Sequence, residues 1–326
     1  MYEERNSPST TMAIASDTNL AEAPARRDKI GLSRRALTGY LFIAPSILFL
    51  LLTSIYPLVY TLYVSTTDVN KGEWHFVGLQ HYAELLQDEW FWNSLRAIAV
   101  FTVSSVVLHL LIGLAFALLL NESWFNNLFR NFVRGLLILP YVFSTAAAGL
   151  MWSLLFHPFG LLNYLAVDLL GRPQPIEFLA TPGMAMTSVV LVNTWKSYPF
   201  YMLIILGGLQ VIPPELYEAA KVDGASAWQR FRYVTLPQLR PVLIAASVID
   251  VITTVGHVDL IKMLTKGGPF RSTETVAYYI HKTGLLDGNL GYGAAISTLM
   301  LVMMAFITIF YLRLLARGGE TGETSF

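Results

Sequence analysis

Long apolar runs alternate along this chain with short polar ones, and each run is long enough to cross a lipid bilayer. The first covers about Leu37–Val64, with no charged residue between Ala36 and Thr67. A helix needs ~20 residues to cross the hydrocarbon core, so this run predicts a long or tilted span. Pro45 and Pro57 are expected to kink it. Further spans are predicted at about Ala97–Leu120, Gly135–Phe156, Gly183–Leu209, Pro241–Leu264 and Tyr292–Leu315. Pro140 interrupts the first turns of the third. Between the first two, the aromatic and acidic stretch from Asp68 to Arg96 suits an outer loop with an interfacial helix. Residues His157–Thr181 are rich in Gly and Pro; their apolar part, Leu161–Leu170, is too short to span and reads as interfacial.

One polar segment, Ile212–Pro237, stands between two very apolar ones. Pro213 and Pro214 suit a helix start, where a missing N–H costs nothing. Glu215 and Glu218 favour the same turn through the helix dipole. Leu216, Ala219 and Ala220 recur at helical spacing and give one small apolar face. Gly224 permits the left-handed residue that ends a helix. Ser226 with Gln229 three residues on is a capping box for a second short helix, which Pro237 is expected to close. The product is a helix–glycine–helix elbow.

Charge sets the orientation. Arg26, Arg27, Lys29, Arg34, Arg35, Arg130, Arg134, Lys221, Arg230, Arg232, Arg240, Arg313 and Arg317 fall on one side of the predicted spans. Lys71, Arg96, Arg172, Lys262, Lys266, Arg271 and Lys282 fall on the other. By the positive-inside rule the first side is cytoplasmic, so both termini and the elbow are inside. The polar leader, residues 1–35, reads as a disordered cytoplasmic tail; residues 36–317 form the membrane domain and 318–326 a second tail. The expected class is an all-α integral membrane protein of six spans.

Composition narrows the chemistry. Hydrophobic residues make up 54% of the chain and charged residues 13%, against about 25% charged in a soluble domain. Net charge is zero, which gives no case for nucleic acid as a partner. Cysteine is absent, which excludes disulfides and thiolate chemistry. The phosphate-binding G-x-x-x-x-G-K-[ST], H-E-x-x-H and G-x-S-x-G patterns are missing, and no His/Asp/Glu cluster has metal-ligand spacing. The chain is therefore not expected to be an ATPase, an enzyme or a metalloprotein.

Ionisable and aromatic residues inside spans are the candidates for function. Lys196 lies near the middle of the fourth span, where an ion costs several kcal/mol unless paired or wet. It has two readings, a structural ion pair or a pore-facing donor for substrate hydroxyls. Its neighbours Asn193, Thr194, Trp195, Tyr198 and Pro199 mix amides, hydroxyls and rings, as a sugar site requires. Asp250 on the fifth span is the expected partner of Lys196. Thr253, Thr254, His257 and Asp259 extend a polar line there, suited either to a wet path or to helix–helix hydrogen bonds. Pro140, Tyr141, Phe143 and Ser144 on the third span form a second candidate lining, and Trp152 another. His109, alone on an apolar helix, reads as a hydrogen-bonded structural residue.

Glu218-Ala219-Ala220, Gly224 after three residues, and Val234-x-Leu236-Pro237 after nine more resemble the EAA motif of binding-protein-dependent ABC importer permeases, with Val234 in place of the usual Ile. The W-K-x-x-P-F pattern at Trp195–Phe200, the run GLQVIPPELYEAAKVDGAS and the outer-loop phrase VGLQHYAELLQDEWFWNSL are similar to the sugar-permease branch. His257-Val258-Asp259 keeps that branch's His and Asp but lacks its aromatic. The resemblance covers about Leu37–Arg317. It implies a type I permease fold, with Glu218, Ala219, Ala220, Asp223, Gly224, Leu236 and Pro237 coupling the chain to an ATPase. It also implies a second homologous permease, two ATP-binding subunits that hold ATP and Mg, and an external substrate-binding (lipo)protein, with no cofactor on this chain. The cargo it implies is a disaccharide such as trehalose or maltose; the Ser/Ala/Arg-rich leader points to an actinobacterial trehalose importer. Three other readings stay open: an ion-coupled transporter using Lys196, Asp250 and Asp259 as a proton relay, a membrane scaffold without transport, and a glycerol-phosphate permease of the same family.

Overall fold

The structure is a computed structural model and describes residues 34–70, 73–122 and 126–320. Residues 1–33 of the predicted leader, with Arg26, Arg27 and Lys29, outer Lys71, and residues 321–326 of the C-terminal tail lie outside the described residues; Arg34 and Arg35, placed in the leader, instead begin α1. The chain divides into two units, one ending at Ile55 and one from Tyr56 onward. In the first, α1 (Arg34–Leu50) passes into a π-helical turn, Leu51–Ile55. Pro45 lies inside α1, and Leu41, Phe42, Phe49 and Leu52 are exposed, as lipid-facing side chains are.

The second unit begins with α2 (Tyr56–Val64) and an antiparallel hairpin, β1 (Thr67–Asn70) with β2 (Glu73–Phe76). The hairpin is an addition to the expected all-helical plan. Then follow α3 (Gln80–Gln87), α4 (Glu89–Asn121), α5 (Asn127–Val142), α6 (Thr145–Leu155), α7 (Leu161–Tyr164) and α8 (Pro182–Val211). The elbow contains α9 (Pro214–Val222) and α10 (Ala227–Arg230), and the chain closes with α11 (Leu236–Val255), α12 (Val258–Leu264), α13 (Val276–Ile280) and α14 (Leu290–Glu320). Among the described residues, five helical stretches are long and apolar enough to cross a membrane: Gly39–Val64, Glu89–Asn121, Pro182–Val211, Ala227–Val255 and Leu290–Tyr311. The pair α5 and α6 makes a sixth when taken as one broken span.

Three expectations are corrected. The third span is not one helix: α5 and α6 meet at 95°. Pro140 stays inside α5, and the break falls at Phe143 and Ser144, both extended. There the Ser144 hydroxyl accepts from Ala147 N at 3.2 Å and starts a new helix. The fifth span also breaks, at Gly256 and His257, which puts Asp250 on α11 and Asp259 on α12. Pro237 does not close the second elbow helix. A π-helical turn, Phe231–Thr235, joins α10 to α11 ahead of it, and Pro237 sits in the first turn of α11.

Small residues set the core. A Cβ on Gly113 of α4 would lie 2.4 Å from Tyr201 Cβ and 2.9 Å from Met202 N on α8, so the two helices touch backbone to backbone. Beside this contact Ala117, Leu120, Ile205, Leu209, Leu239 and Ala246 form one buried cluster. Gly149 brings α6 against Met263 of α12 in the same way, with a virtual Cβ at 2.9 Å.

Outside the membrane, Asp88 caps α4 by accepting from Trp90 N at 2.8 Å. It also accepts from the Tyr279 hydroxyl at 2.5 Å and the Tyr292 hydroxyl at 2.9 Å. Burial, then the Asp88 bond, pushes the Tyr279 hydroxyl up to about 12, so it remains a donor at neutral pH. Arg271 lies 4.1 Å over the Trp90 ring and pairs with Glu274, which also holds Lys282 at 3.4 Å. Glu274 is 3% exposed. Glu274→Ala therefore strips a buried carboxylate from two cations and is expected to cost about 3 kcal/mol, read as a lower melting temperature in detergent.

Candidate functional site

The elbow is built as the sequence dictates. Ser226 Oγ accepts from Gln229 N at 3.3 Å while Gln229 Oε1 accepts from Ser226 N at 2.7 Å, closing the capping box. Gly224 adopts φ +75°, the left-handed conformation that favours glycine. The base of the elbow is fixed to the body: Tyr217 and Thr235 hydroxyls lie 3.0 Å apart, and Ile212 is buried. The tip is bare. Neither α9 nor α10 has a buried residue; Glu218, Ala219, Asp223 and Gly224 are exposed, and Val222 is 88% exposed. Leu236 and Pro237 stand at the start of α11.

A second feature lies where α4, α8 and α11 cross. His109 Nδ1 is 2.8 Å from Asp250 Oδ2, and both side chains are buried. Thr254 donates to the other Asp250 oxygen at 3.2 Å, and Asn193 Nδ2 is 3.5 Å from His109 Nε2. The Tyr201 ring lies 6.4 Å from the His109 ring and its hydroxyl donates to Ser247 at 3.2 Å. The expected Lys196–Asp250 pair is thus corrected: the partner of Asp250 is His109. Packing decides this: Gly113 seats α4 directly on α8, and the imidazole one turn earlier reaches the Asp250 carboxylate of α11. The signal in the sequence was a lone His and a lone Asp on separate apolar helices, each needing a partner.

The third feature contains Lys196. Its Nζ lies 5.7 Å from the Tyr141 ring centroid. Tyr141 stacks on Phe200, and Trp195 lies between Phe143 and Trp152 at 6.0 and 5.6 Å. Tyr141, Phe143 and Ser144 are exposed, whereas Trp195 and Lys196 are half-buried. His257, at the break between α11 and α12, lies within electrostatic reach of Lys196, Asp250, His109 and Asp259. Asp259 is exposed in the first turn of α12. Tyr198, by contrast, is buried and donates to Leu137 O at 3.1 Å. So Tyr141, Ser144, Trp195 and Lys196 share one half-open face at the α5–α6 break, while Asn193, Asp250 and Thr254 belong to the buried junction.

The family described as the inner membrane component of binding-protein-dependent transport systems matches residues 109–318. The chain belongs to this family. It is 38% identical over 283 residues to the trehalose/maltose transport system permease protein MalF of Thermococcus litoralis, covering 86% of this chain and 94% of that one. The sulfoquinovosyl glycerol transport system permease protein SmoG of Agrobacterium fabrum is 35% identical over 285 residues, or 86% of this chain and 90% of that one. The fold matches the crystal structure of a bacterial ABC transporter involved in alginate import, with TM-score 0.74 and 23% identity over 87% of this chain and 96% of that one. The protein is accordingly a multi-pass permease subunit of an ABC importer in the cytoplasmic membrane, with the type I fold.

Proposed function

We propose that this permease moves a glycoside, in the first place a disaccharide of the trehalose or maltose kind, by alternating access powered by separate ATP-binding subunits. The observation that carries this reading is one continuous helix. Residues Ala227–Val255 form a single 29-residue stretch, about 43 Å long at 1.5 Å per residue. At its inner end stands the bare elbow; towards its other end lie the His109–Asp250 junction and the break at Gly256. Movement of the elbow by a docked ATPase is delivered along this lever to the half-open face that holds Trp195 and Lys196. ATP and Mg belong to the docked subunits, a second permease completes the pore wall, and an external binding protein delivers the cargo. Both relatives described above are named for the transport of glycosides, which supports the cargo class.

The lining supports it chemically. Trp195, Tyr141 and Phe143 offer flat rings for the apolar faces of a sugar, and Lys196 and Ser144 offer donors for its hydroxyls. In vesicles containing the whole importer, Trp195→Ala is expected to lower uptake of the cargo about tenfold, equal to ~1.4 kcal/mol, with ATP hydrolysis stimulated as in wild type. Uptake unchanged in both Trp195→Ala and Lys196→Ala would remove this face from the pathway. Uptake that persists without ATP but collapses with the proton gradient would replace the whole reading by ion coupling.

A further inference from the structure

An open groove of about 810 Å3 lies between the inner end of α4 and the elbow. Its upper wall is Leu111, Leu114, Ala115 and Leu118, which recur at three- and four-residue spacing and so share one face of α4. No polar side chain interrupts that face. Ten residues separate Leu111 from Asn121 at the helix end, a rise of about 15 Å, which is half of the ~30 Å hydrocarbon core. The groove is therefore as deep as one leaflet.

Its lower end has the opposite chemistry. Lys221 of α9 and Arg230 of α10 line it together with Trp228, which is 70% exposed. Arg230 Nη1 donates to Ala225 O at 2.9 Å, which orients the guanidinium and leaves donors to spare. Neither cation is ion-paired to an acid among the described residues. Glu122 contributes one negative charge to the lining, and the two cations outweigh it. Apolar above and cationic below, with an aromatic at the boundary, is the division of a phospholipid molecule at the inner face of a bilayer.

We propose that this groove holds one anionic phospholipid of the inner leaflet. An acyl chain lies along Leu111–Leu118, and the phosphate bridges Lys221 and Arg230. These residues stand on the two arms of the elbow with Gly224 between them, so a bound phosphate braces the elbow against α4. Lipid composition then sets how firmly the elbow is held when the ATPase pushes on it. The proposal needs the inward orientation of the elbow but not the identity of the cargo.

The test uses the complete importer, reconstituted with phosphatidylglycerol or phosphatidylcholine carrying a photoactivatable acyl chain. Labelled peptides are then mapped. The phosphatidylglycerol probe is expected to label the peptides bearing Leu111–Leu118 and Trp228 roughly thirtyfold more than the phosphatidylcholine probe, as about 1 kcal/mol for each of the two cations implies. Lys221→Gln/Arg230→Gln abolishes that preference, and Ala115→Trp, which fills the groove and spares the cations, abolishes the label. Ala115 and Lys221 are exposed and Arg230 is half-buried with a hydrogen bond to Ala225 O, so each variant is first required to melt as wild type does in detergent. Equal labelling by the two lipids, or labelling unchanged in the variants, overturns the proposal. So does a cross-link from Ala115→Cys, a unique thiol in this cysteine-free chain, to another protein chain instead of lipid. These outcomes are independent of uptake, so failure here leaves the transport reading standing.

Discussion

Asp250→Ala is expected to leave little folded permease. The substitution removes the carboxylate that His109 and Thr254 both contact and leaves the imidazole buried, with only Asn193 at 3.5 Å. Breaking a buried pair from one side costs about 3–5 kcal/mol, because the orphaned group keeps its desolvation penalty. That is a large part of the 5–15 kcal/mol that typically holds a folded domain. The junction also joins α4, α8 and α11, so its loss loosens the contact that Gly113 makes possible. The check is monodispersity and melting temperature after detergent extraction. Replacing both partners with apolar residues, His109→Leu with Asp250→Leu, is expected to recover part of the stability, since no ionisable group is then stranded and only the neutral Thr254 hydroxyl and Asn193 amide lose a partner. If Asp250→Ala melts like wild type while Lys196→Ala does not, the pairing is wrong.

Gly224→Asp is expected to abolish binding-protein-stimulated transport while sparing the fold. A Cβ at this position meets nothing within 4 Å, so sterics are not at issue. The left-handed backbone at φ +75° costs a non-glycine residue about 1–2 kcal/mol, and Asp tolerates it better than most. The damage falls on the docked state, where a carboxylate beside Asp223 must lose its water without a partner. Stimulated ATP hydrolysis and uptake should both fall at least about tenfold, which needs only ~1.4 kcal/mol at the interface. Gly224→Ala serves as the control for backbone strain alone and should lose far less. Equal losses in the two variants would assign the effect to the backbone, not to docking.

What the sequence made legible follows from how local each signal is. The elbow was readable residue by residue: the paired prolines, the capping box at Ser226 and Gln229 and the left-handed Gly224 each act within one turn of chain, and each stands where it was expected. Span positions were readable because lipid demands continuous apolar runs. Helix interruptions were harder. Pro140 and Pro237 are visible breakers, yet α5 runs through the first and α11 takes the second into its first turn, while the real breaks fall at Ser144 and Gly256. At the first, a hydroxyl caps the next helix; at the second, the chain turns at Gly256 and His257 with Gly256 in an ordinary right-handed conformation. The partner of Asp250 was not legible at all. It depends on how closely α4 and α8 approach, and that rests on the absence of a side chain at Gly113, a tertiary fact carried by one residue. The aromatic face around Trp195 was partly readable, but the separation of Tyr198 and Asn193 from it needed the helix rotations.

The central claim is that the bare elbow is a dock for an ATP-binding subunit, and co-purification tests it most directly. The wild-type permease is extracted from its native membrane in mild detergent beside Gly224→Asp, and the retained chains are identified by mass spectrometry. The account predicts that an ATP-binding subunit and a second permease come with the wild type, and that the ATP-binding subunit is lost or weakened with Gly224→Asp while the second permease stays. A wild-type permease recovered under the same gentle conditions with no ATP-binding subunit would contradict it and bring ion coupling through Lys196, Asp250 and Asp259 to the front.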